Sequence, residues 1–116
     1  MNGYTGASAL LDLPESPTAI FASNDVMAMG VMDAVRDRNL RIPDDVSVIG
    51  FDNIHQSALV YPPLTTVHQP LEQMGRVATQ MLLNMLKNPK NDVGRIELPT
   101  ELIIRSSTSA PKDRAG

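Results

Sequence analysis

The stretch from Pro17 to Asp52 predicts a strand, a helix and a second strand, the repeating unit of an open parallel sheet. A polar side chain follows each predicted strand, Asn24 after the first and Asp52 after the second. Ligands bind at the carboxyl edge of such sheets because the loops diverge there and helix N-termini offer free N–H groups. The spacing therefore predicts an α/β fold in which an amide and a carboxylate lie side by side at a binding crevice.

Length and composition predict one small globular domain. The chain has 116 residues, of which 42% are hydrophobic and 20% are charged. Its net charge of -3 argues against direct binding of nucleic acid, which requires a basic surface. No window approaches the roughly 18 apolar residues of a membrane span, and no secretory signal pattern is visible. The absence of cysteines excludes disulfides and thiolate ligands, and it fits the cytoplasmic location that we expect.

The other elements follow from periodicity and from turn residues. Short apolar segments predict strands over 18–23, 46–51, 64–68 and, in one or two pieces broken at Pro99, over 95–105. Helical spacing predicts the tail of a longer helix over 6–13, a helix over 25–40, a short turn over 54–59 and an amphipathic helix that opens at Pro70. Residues 106–116 are small and polar, so we expect them to be disordered.

The helix predicted over 25–40 is apolar around nearly its whole circumference in its first half. The residues responsible are Val26, Met27, Ala28, Met29, Val31, Met32, Ala34 and Val35. A helix that lies on a sheet with water behind it shows a single apolar stripe, so this helix needs a second buried face. A partner subunit and a second layer of the same fold would each supply one, and the pattern does not choose between them.

Asp52 is the first candidate for ligand chemistry, because its two carboxylate oxygens match two neighbouring hydroxyl donors of a polyol. Taken alone, an aspartate after a strand is more often a solvated cap of the turn. Asn24 supports the ligand interpretation, since an amide both donates and accepts hydrogen bonds, although helix capping also accounts for it. Gln69 by itself is only a polar residue between a strand and the Pro70 helix.

Signatures of catalysis and of metal binding are missing. The sequence has no Gly-rich dinucleotide loop, Walker-type loop or nucleophile elbow, so we predict neither enzymatic activity nor a cofactor. A magnesium-dependent phosphoacceptor site would need an acidic pair, a phosphoacceptor at a strand end and a lysine, whereas the lysines of this chain lie late, in polar segments. The only histidines are His55 and His68, which belong to no ligand cluster, so no metal site is predicted.

Four segments resemble the C-terminal part of the lactose/galactose repressor (LacI/GalR) family of bacterial transcription regulators. They are PTAIFASNDVMAMG, LRIPDDVSVIGFDN, PPLTTVHQP and ELIIRSST, and their order and intervals fit the family as a set. The resemblance runs from about Gly3 to Thr108. Periplasmic sugar-binding proteins of ABC transporters share the same module and form the alternative interpretation, but PPLTTVHQP and ELIIRSST favour the repressors.

The resemblance implies a periplasmic-binding-protein-like lobe, a three-layer αβα fold that is incomplete here. Residues 1–69 would belong to the C-terminal lobe of an effector-binding domain, and 70–94 to a crossover helix and turn of the other lobe. Residues 95–105 would return as strand, and 106–116 would form the tail. No segment matches the family's helix-turn-helix head, so operator DNA is expected as a partner only through a head outside this chain. The Pro70 helix would expose its apolar stripe or exchange between two chains.

The resemblance also assigns roles by position. Asn24, Asp52 and Gln69 match family residues that contact a small polyhydroxylated effector, a sugar or nucleoside-like molecule. Leu71 stands where some members place an aromatic ring, which makes it a further candidate contact. Five positions match the family's dimer interface: Met29, Met32, Asp33, Val60 and Tyr61. The implied protein is a cytoplasmic regulator with no enzymatic role that forms a homodimer or a larger oligomer.

Overall fold

The computed structural model describes residues 2–90 and 94–112. Its elements, in chain order, are α1 (Gly3–Leu11), β1 (Ala19–Phe21), α2 (Asp25–Asp37), β2 (Ser47–Ile49), a 3-10 turn (His55–Ala58), β3 (Thr66–His68), α3 (Leu71–Lys87) and β4 (Glu101–Ile103). Every predicted helix and strand is therefore represented, most of them shorter than predicted.

The strand–helix–strand prediction is confirmed as a parallel pair. β1 lies beside β2 with Ile20 opposite Val48. On the other side of β2, a parallel bridge joins Ile49 to Thr65, and Gly50 N donates to Thr65 O at 3.0 Å. β2 is therefore the middle strand of the lobe, and the loop that follows it lies between the ends of its two neighbours.

β3 extends beyond this sheet and pairs with β4 in antiparallel register, with Val67 opposite Leu102. Of the strand predicted over 95–105, only Glu101–Ile103 pairs in the structure. Pro99 partly explains why the paired segment is shorter than the predicted strand, because proline has no N–H to donate to a neighbouring strand. The connections towards and away from α3 thus run side by side.

The core explains how α2 buries so much of its surface. Buried residues from α1, α2, the two parallel strands and their neighbours form one cluster: Ala7, Leu11, Ile20, Ala22, Ala28, Val31, Met32, Ala34, Val35, Val46, Val48 and Leu64. The second layer that the sequence left open is present, since α1 packs against α2. Val26 nevertheless stays 67% exposed, so part of the apolar circumference of α2 is uncovered.

The helices cover only one face of the parallel pair. Ile20 of β1 is buried in the core, whereas its neighbours Ala19 and Phe21 are exposed. Within residues 2–90 and 94–112, the fold therefore supplies two of the three expected layers. This agrees with the prediction of an incomplete αβα lobe.

α1 differs from the predicted tail of a longer helix. It begins at Gly3, where the Asn2 side chain caps it by accepting a hydrogen bond from Thr5 N at 2.8 Å. Its first residue also lies unusually close to α2, because a Cβ added to Gly3 would come within 1.8 Å of the Met27 carbonyl oxygen. A glycine is therefore required where the two helix backbones meet.

The segment predicted as a disordered tail joins the sheet instead. Val48 N donates to Ser107 O at 2.9 Å. Ser107 is fully buried, and its Oγ donates to Val48 O at 2.6 Å and accepts from Thr65 N at 2.8 Å. The prediction of disorder is wrong here because serine hydroxyls can satisfy strand backbone groups, which polar composition alone does not reveal. Residues 113–116 lie outside the described residues.

α3 is amphipathic as predicted, but it contains no buried residue. Its apolar stripe is substantially exposed, for example at Leu71 (50%), Met74 (40%) and Met85 (44%). Residues 91–93 of the turn predicted after this helix lie outside the described residues. In the part of the chain that the structure covers, no helix is both long and apolar enough to cross a membrane.

Gly3→Ala tests the close approach of α1 to α2. The added methyl group would overlap the Met27 carbonyl, so we expect the free energy of unfolding to fall by about 1–3 kcal/mol, as in other overpacked sites. Gly75→Ala is the matched control, since it is also helical but has no atom within 4 Å of an added Cβ. It should raise stability by roughly 0.5–1 kcal/mol. Urea unfolding followed by circular dichroism measures both, and equal midpoints would contradict the packing described.

Candidate functional site

The loop after β2 carries two residues in a backbone conformation that usually requires glycine. Asp52 has φ 123° and Asn53 has φ 60°. Non-glycine residues in such regions cost on the order of 1–3 kcal/mol each, and they persist only where the surroundings hold them in place. Strain of this kind concentrates at ligand sites, and here it falls on the leading candidate residue.

Asp52 is held from the β3 side by its backbone and by its side chain. Its N–H donates to Val67 O at 2.9 Å, and its Oδ1 accepts from Gln69 Nε2 at 2.6 Å. Two of the three predicted ligand residues are thus in direct contact. Asp52 is half-buried, and its Oδ2 accepts no hydrogen bond from the described residues. One carboxylate oxygen is therefore fixed, while the other remains available as an acceptor.

Asn24 lies at the same edge of the sheet. Its Oδ1 caps α2 by accepting from Met27 N at 2.8 Å, so the capping interpretation is correct. Asp25 N donates to Phe51 O at 3.0 Å, which ties the start of α2 to the loop that contains Asp52. Among residues 2–90 and 94–112, the Asn24 Nδ2 group has no hydrogen-bond partner. Capping and ligand binding are compatible because they use different atoms of the amide.

Leu71 does not join these residues. It is the first residue of α3 and lines a shallow depression on that helix with Glu72, Gly75, Arg76, Thr79 and Gln80. Gln69 instead borders an apolar groove of about 240 Å³, shared with residues such as Met74 and Ile96. The ligand role of Leu71 stays a prediction.

Asp25 is a further important residue, and its role is not evident from the sequence pattern. Its carboxylate is fully buried and accepts from Ile54 N at 2.8 Å and from Thr66 Oγ1 at 2.6 Å. A buried carboxylate is tolerated only where such bonds replace water. Gly50, directly after β2, makes room for this carboxylate, because a Cβ there would lie 2.3 Å from Asp25 Oδ1. A glycine after a strand permits such a close approach, although the sequence does not identify its partner. Asp25 thus links the first turn of α2 to the loop after Asn53 and to β3.

An aromatic pair borders the same edge. Phe21 ends β1 and Phe51 precedes Asp52, and their rings meet edge to face with centroids 6.5 Å apart. Phe21 is 62% exposed, so its ring offers an apolar surface beside the polar groups. In the sequence, both residues belong to short apolar segments that predict strands. Their positions near Asn24 and Asp52 in the sequence make them candidates for contact with the same ligand.

The five residues predicted at a subunit interface lie around one depression of about 360 Å³. It is lined by Met29, Met32, Asp33, Arg36, Val60 and Tyr61. Tyr61 is 86% exposed, and its carbonyl accepts a hydrogen bond from the Arg36 guanidinium. Met32 is only 1% exposed and belongs to the core. It can therefore form the floor of this depression but cannot project from it.

In the described part of the chain, the carboxylate with the largest pKa shift lies away from the candidate site. The Arg41 backbone amide, bonded at 2.8 Å, and the Lys112 ammonium, at 3.0 Å, lower the pKa of Asp45 to about 2. Asp45 precedes β2 and Asp52 follows it, so this carboxylate stabilises the turn at the other end of the strand. Among the described residues, no three acidic or histidine side chains come together as metal ligands would.

Comparisons with known proteins agree on one family. A family model for the periplasmic binding protein-like domain matches residues 2–108. An HTH-type transcriptional repressor PurR of Haemophilus influenzae is 43% identical over 112 residues, which cover 94% of this chain and 33% of the relative. The chain thus spans about a third of the length of the curated relatives it matches.

Solved structures agree with the sequence relatives. A LacI family transcriptional regulator from Enterococcus faecalis with bound ribose has a TM-score of 0.85 and 37% identity, over 95% of this chain and 40% of that one. A dimeric Lac repressor with an 11-residue C-terminal deletion has a TM-score of 0.84 and 34% identity, over 95% of this chain and 40% of that one.

Asp25→Ala tests the buried carboxylate. The change leaves Ile54 N–H and the Thr66 hydroxyl without their acceptor, and hydrogen bonds to charged groups contribute about 1.5–3 kcal/mol each. We therefore expect the free energy of unfolding to fall by ~3 kcal/mol or more. Asp44→Ala, at an exposed position, should change it by no more than ~0.5 kcal/mol. Equal loss in the two variants, measured by urea unfolding, would refute the role given to Asp25.

Proposed function

The chain belongs to the periplasmic-binding-protein-like family of LacI-type transcription regulators, and from this premise we propose that it forms part of their effector-binding domain. Its relatives are transcriptional repressors and not enzymes. The same relatives favour a regulator over a transport sugar-binding protein. The observation that carries the proposal is the Asp52–Gln69 hydrogen bond of 2.6 Å at the carboxyl edge of a parallel sheet.

We propose that the site binds a polyhydroxylated molecule, a sugar or nucleoside. Asp52 Oδ2 and Asn24 Nδ2 have no hydrogen-bond partner among the described residues, so the first would accept from one ligand hydroxyl and the second would donate to another. The exposed ring of Phe21 would cover an apolar face of the ligand. Support comes from the solved relative that holds ribose, a molecule with neighbouring hydroxyl groups.

The proposed domain boundaries follow from the contacts of each segment. Residues up to 69 would form one lobe, and 70–94 would pack in the other lobe, which agrees with the absence of buried residues in α3. β4 would bring the chain back, and the buried Ser107 supports a return into the first lobe. DNA binding would reside in a head outside this chain.

The effector would act where the chain crosses between lobes. Gln69 lies directly after β3, and its side-chain amide donates a hydrogen bond to Asp52, the carboxylate that we propose to bind the ligand. A ligand shifts a two-state equilibrium only by its differential affinity for the two states. Ligand hydroxyls that bind Asp52 would alter its hydrogen bond to Gln69. Through this bond, effector binding would affect the segment in which the chain passes from one lobe to the other.

Asp52→Ala should weaken effector binding by the full-length regulator about ten- to a hundredfold, because a charge-assisted hydrogen bond contributes roughly 1.5–3 kcal/mol. A thermal-shift screen of sugars and nucleosides, including ribose and inosine, first identifies a ligand. Calorimetric titration then compares its affinity for the wild type, for Asp52→Ala and for the exposed control Asp44→Ala. Unchanged affinity in Asp52→Ala would overturn the site assignment.

We further propose that the depression around Tyr61 is a subunit contact. Apolar side chains around it remain open to solvent, since Tyr61 is 86% and Leu59 is 69% exposed. The floor consists of the buried Met32, and the guanidinium of Arg36 fixes the Tyr61 backbone at the rim. A similar solved structure is a dimeric repressor. These observations support a homodimer in which Tyr61 is an anchor.

Tyr61→Asp is expected to dissociate this homodimer, because it places a charge in a desolvated apolar contact. Anchors of this kind contribute about 2 kcal/mol or more, so the dissociation constant should rise at least roughly thirtyfold. Sedimentation velocity at tens of micromolar measures the change. Leu13→Asp, at a 51% exposed position, is the control and should remain associated. If Leu86→Asp in α3 dissociates the protein and Tyr61→Asp does not, the contact lies on α3 instead.

A further inference from the structure

Asn53 follows the proposed ligand residue Asp52, but the effector chemistry above does not use it. Its side chain lies between the two strands that connect the lobe to α3. Arg105, two residues after β4, places its Nη2 2.8 Å from Asn53 Oδ1. On the other side, Asn53 Nδ2 lies 3.1 Å from Nδ1 of His68, the last residue of β3.

The orientation of this amide is determined by Arg105. A guanidinium can only donate hydrogen bonds, so the Asn53 atom that faces it must be the oxygen. Arg105 is itself fixed, because its Nη1 donates to Leu64 O at 3.0 Å and to Ser57 Oγ at 2.8 Å. The Asn53 amide therefore cannot be turned over without losing the bond to Arg105.

The fixed amide in turn determines the tautomer of His68. Asn53 Nδ2 is a donor, so His68 Nδ1 must accept, and a neutral imidazole that accepts at Nδ1 carries its proton on Nε2. His68 also forms the parallel bridge with Asp52 and lies opposite Glu101 in β4. One side-chain amide thus links the turn that contains Asp52 to β3 and to the end of β4.

We propose that Asn53 is a positioning residue for Asp52: held by Arg105, it fixes His68 as the Nε2–H tautomer and anchors the Asp52–Asn53 turn to both connecting strands. A shift of either strand would move this amide and redirect the neighbouring carboxylate. The functional meaning of this anchor rests on the proposed effector site. The hydrogen bonds themselves belong to this chain and can be tested without an effector.

A simpler explanation is that asparagine is present only because it tolerates a positive φ. Asn39 provides the comparison, since its φ of 57° almost equals the 60° of Asn53. Asn39 is exposed, and its side chain makes no hydrogen bond with the described residues. Glycine suits the backbone at both positions. Asn53→Gly therefore removes the proposed contacts without backbone strain, and Asn39→Gly is the matched control.

The first measurement is ¹⁵N NMR of the imidazole nitrogens in the wild-type chain at about pH 8, where unperturbed histidine is neutral. His55 is the only other histidine and is exposed, so it provides the internal reference for an unconstrained ring. We expect His68 to carry its proton on Nε2 alone. A proton on Nδ1 of His68 in the wild type would overturn the proposal whether or not any variant folds.

Asn53→Asp supplies the sharpest variant. A carboxylate still accepts from Arg105 but presents only acceptors to His68, so the imidazole should carry a proton on Nδ1. Asn53→Gly should release His68 into a mixture of tautomers. It should also reduce severalfold the nuclear Overhauser effect between the Gln69 side-chain amide and the Asp52 β protons. Asn39→Gly should leave both signals unchanged.

Two results would refute the positioning role. In the first, the nuclear Overhauser effect between Gln69 and Asp52 keeps its wild-type intensity in Asn53→Gly. In the other, Asn53→Asp keeps the wild-type tautomer of His68. Neither readout involves a ligand, so a failure of the effector assignment would leave these signals intact. A failure of the Asn53 proposal would appear in this chain even if effector binding were demonstrated.

Discussion

The arrangement of the site depends on one buried carboxylate, Asp25. It accepts from the backbone of Ile54 and from the hydroxyl of Thr66, and so holds the start of α2, the loop after β2 and the start of β3 in one place. It also requires Gly50 to lack a side chain. Because a buried charge without these donors would be costly, these three segments cannot separate independently. The neighbouring polar groups are therefore preorganised.

Local patterns were sufficient to predict the parallel pair, α2 and the edge at which Asn24 and Asp52 lie. Periodicity and helix caps are properties of neighbouring residues, which a single sequence displays. The long-range contacts could not be predicted in this way. Ser107 in the sheet, Gly3 against Met27 and the burial of Asp25 each depend on a partner at least two dozen residues away. A polar residue in sequence does not reveal whether such a partner exists.

The apolar surface of α2 was open to two explanations, a second layer of the same fold and a partner subunit, and the two are compatible. α1 covers part of the helix, which makes the second layer real. The depression that Met29 and Tyr61 line remains open next to it. A helix with more apolar surface than one layer can cover can pack in the core on one side and contact a partner subunit on another. In the proposed homodimer, Met32 would stabilise the fold from within while Tyr61 meets the partner.

In the proposed effector site, the residues that would bind hydroxyl groups differ from those that would distinguish one effector from another. An aspartate and an asparagine that bind hydroxyl groups interact with a feature common to all sugars and nucleosides, so they supply affinity more than selectivity. Selectivity requires groups that match what differs between ligands, such as the ring that Phe21 could face. Meanwhile the Asp52–Gln69 hydrogen bond and the Asn53 amide join the carboxylate that we propose to bind hydroxyls to both connecting strands. A lobe built in this way would keep the same coupling to the crossing strands while other surfaces of the cleft change to accept different effectors.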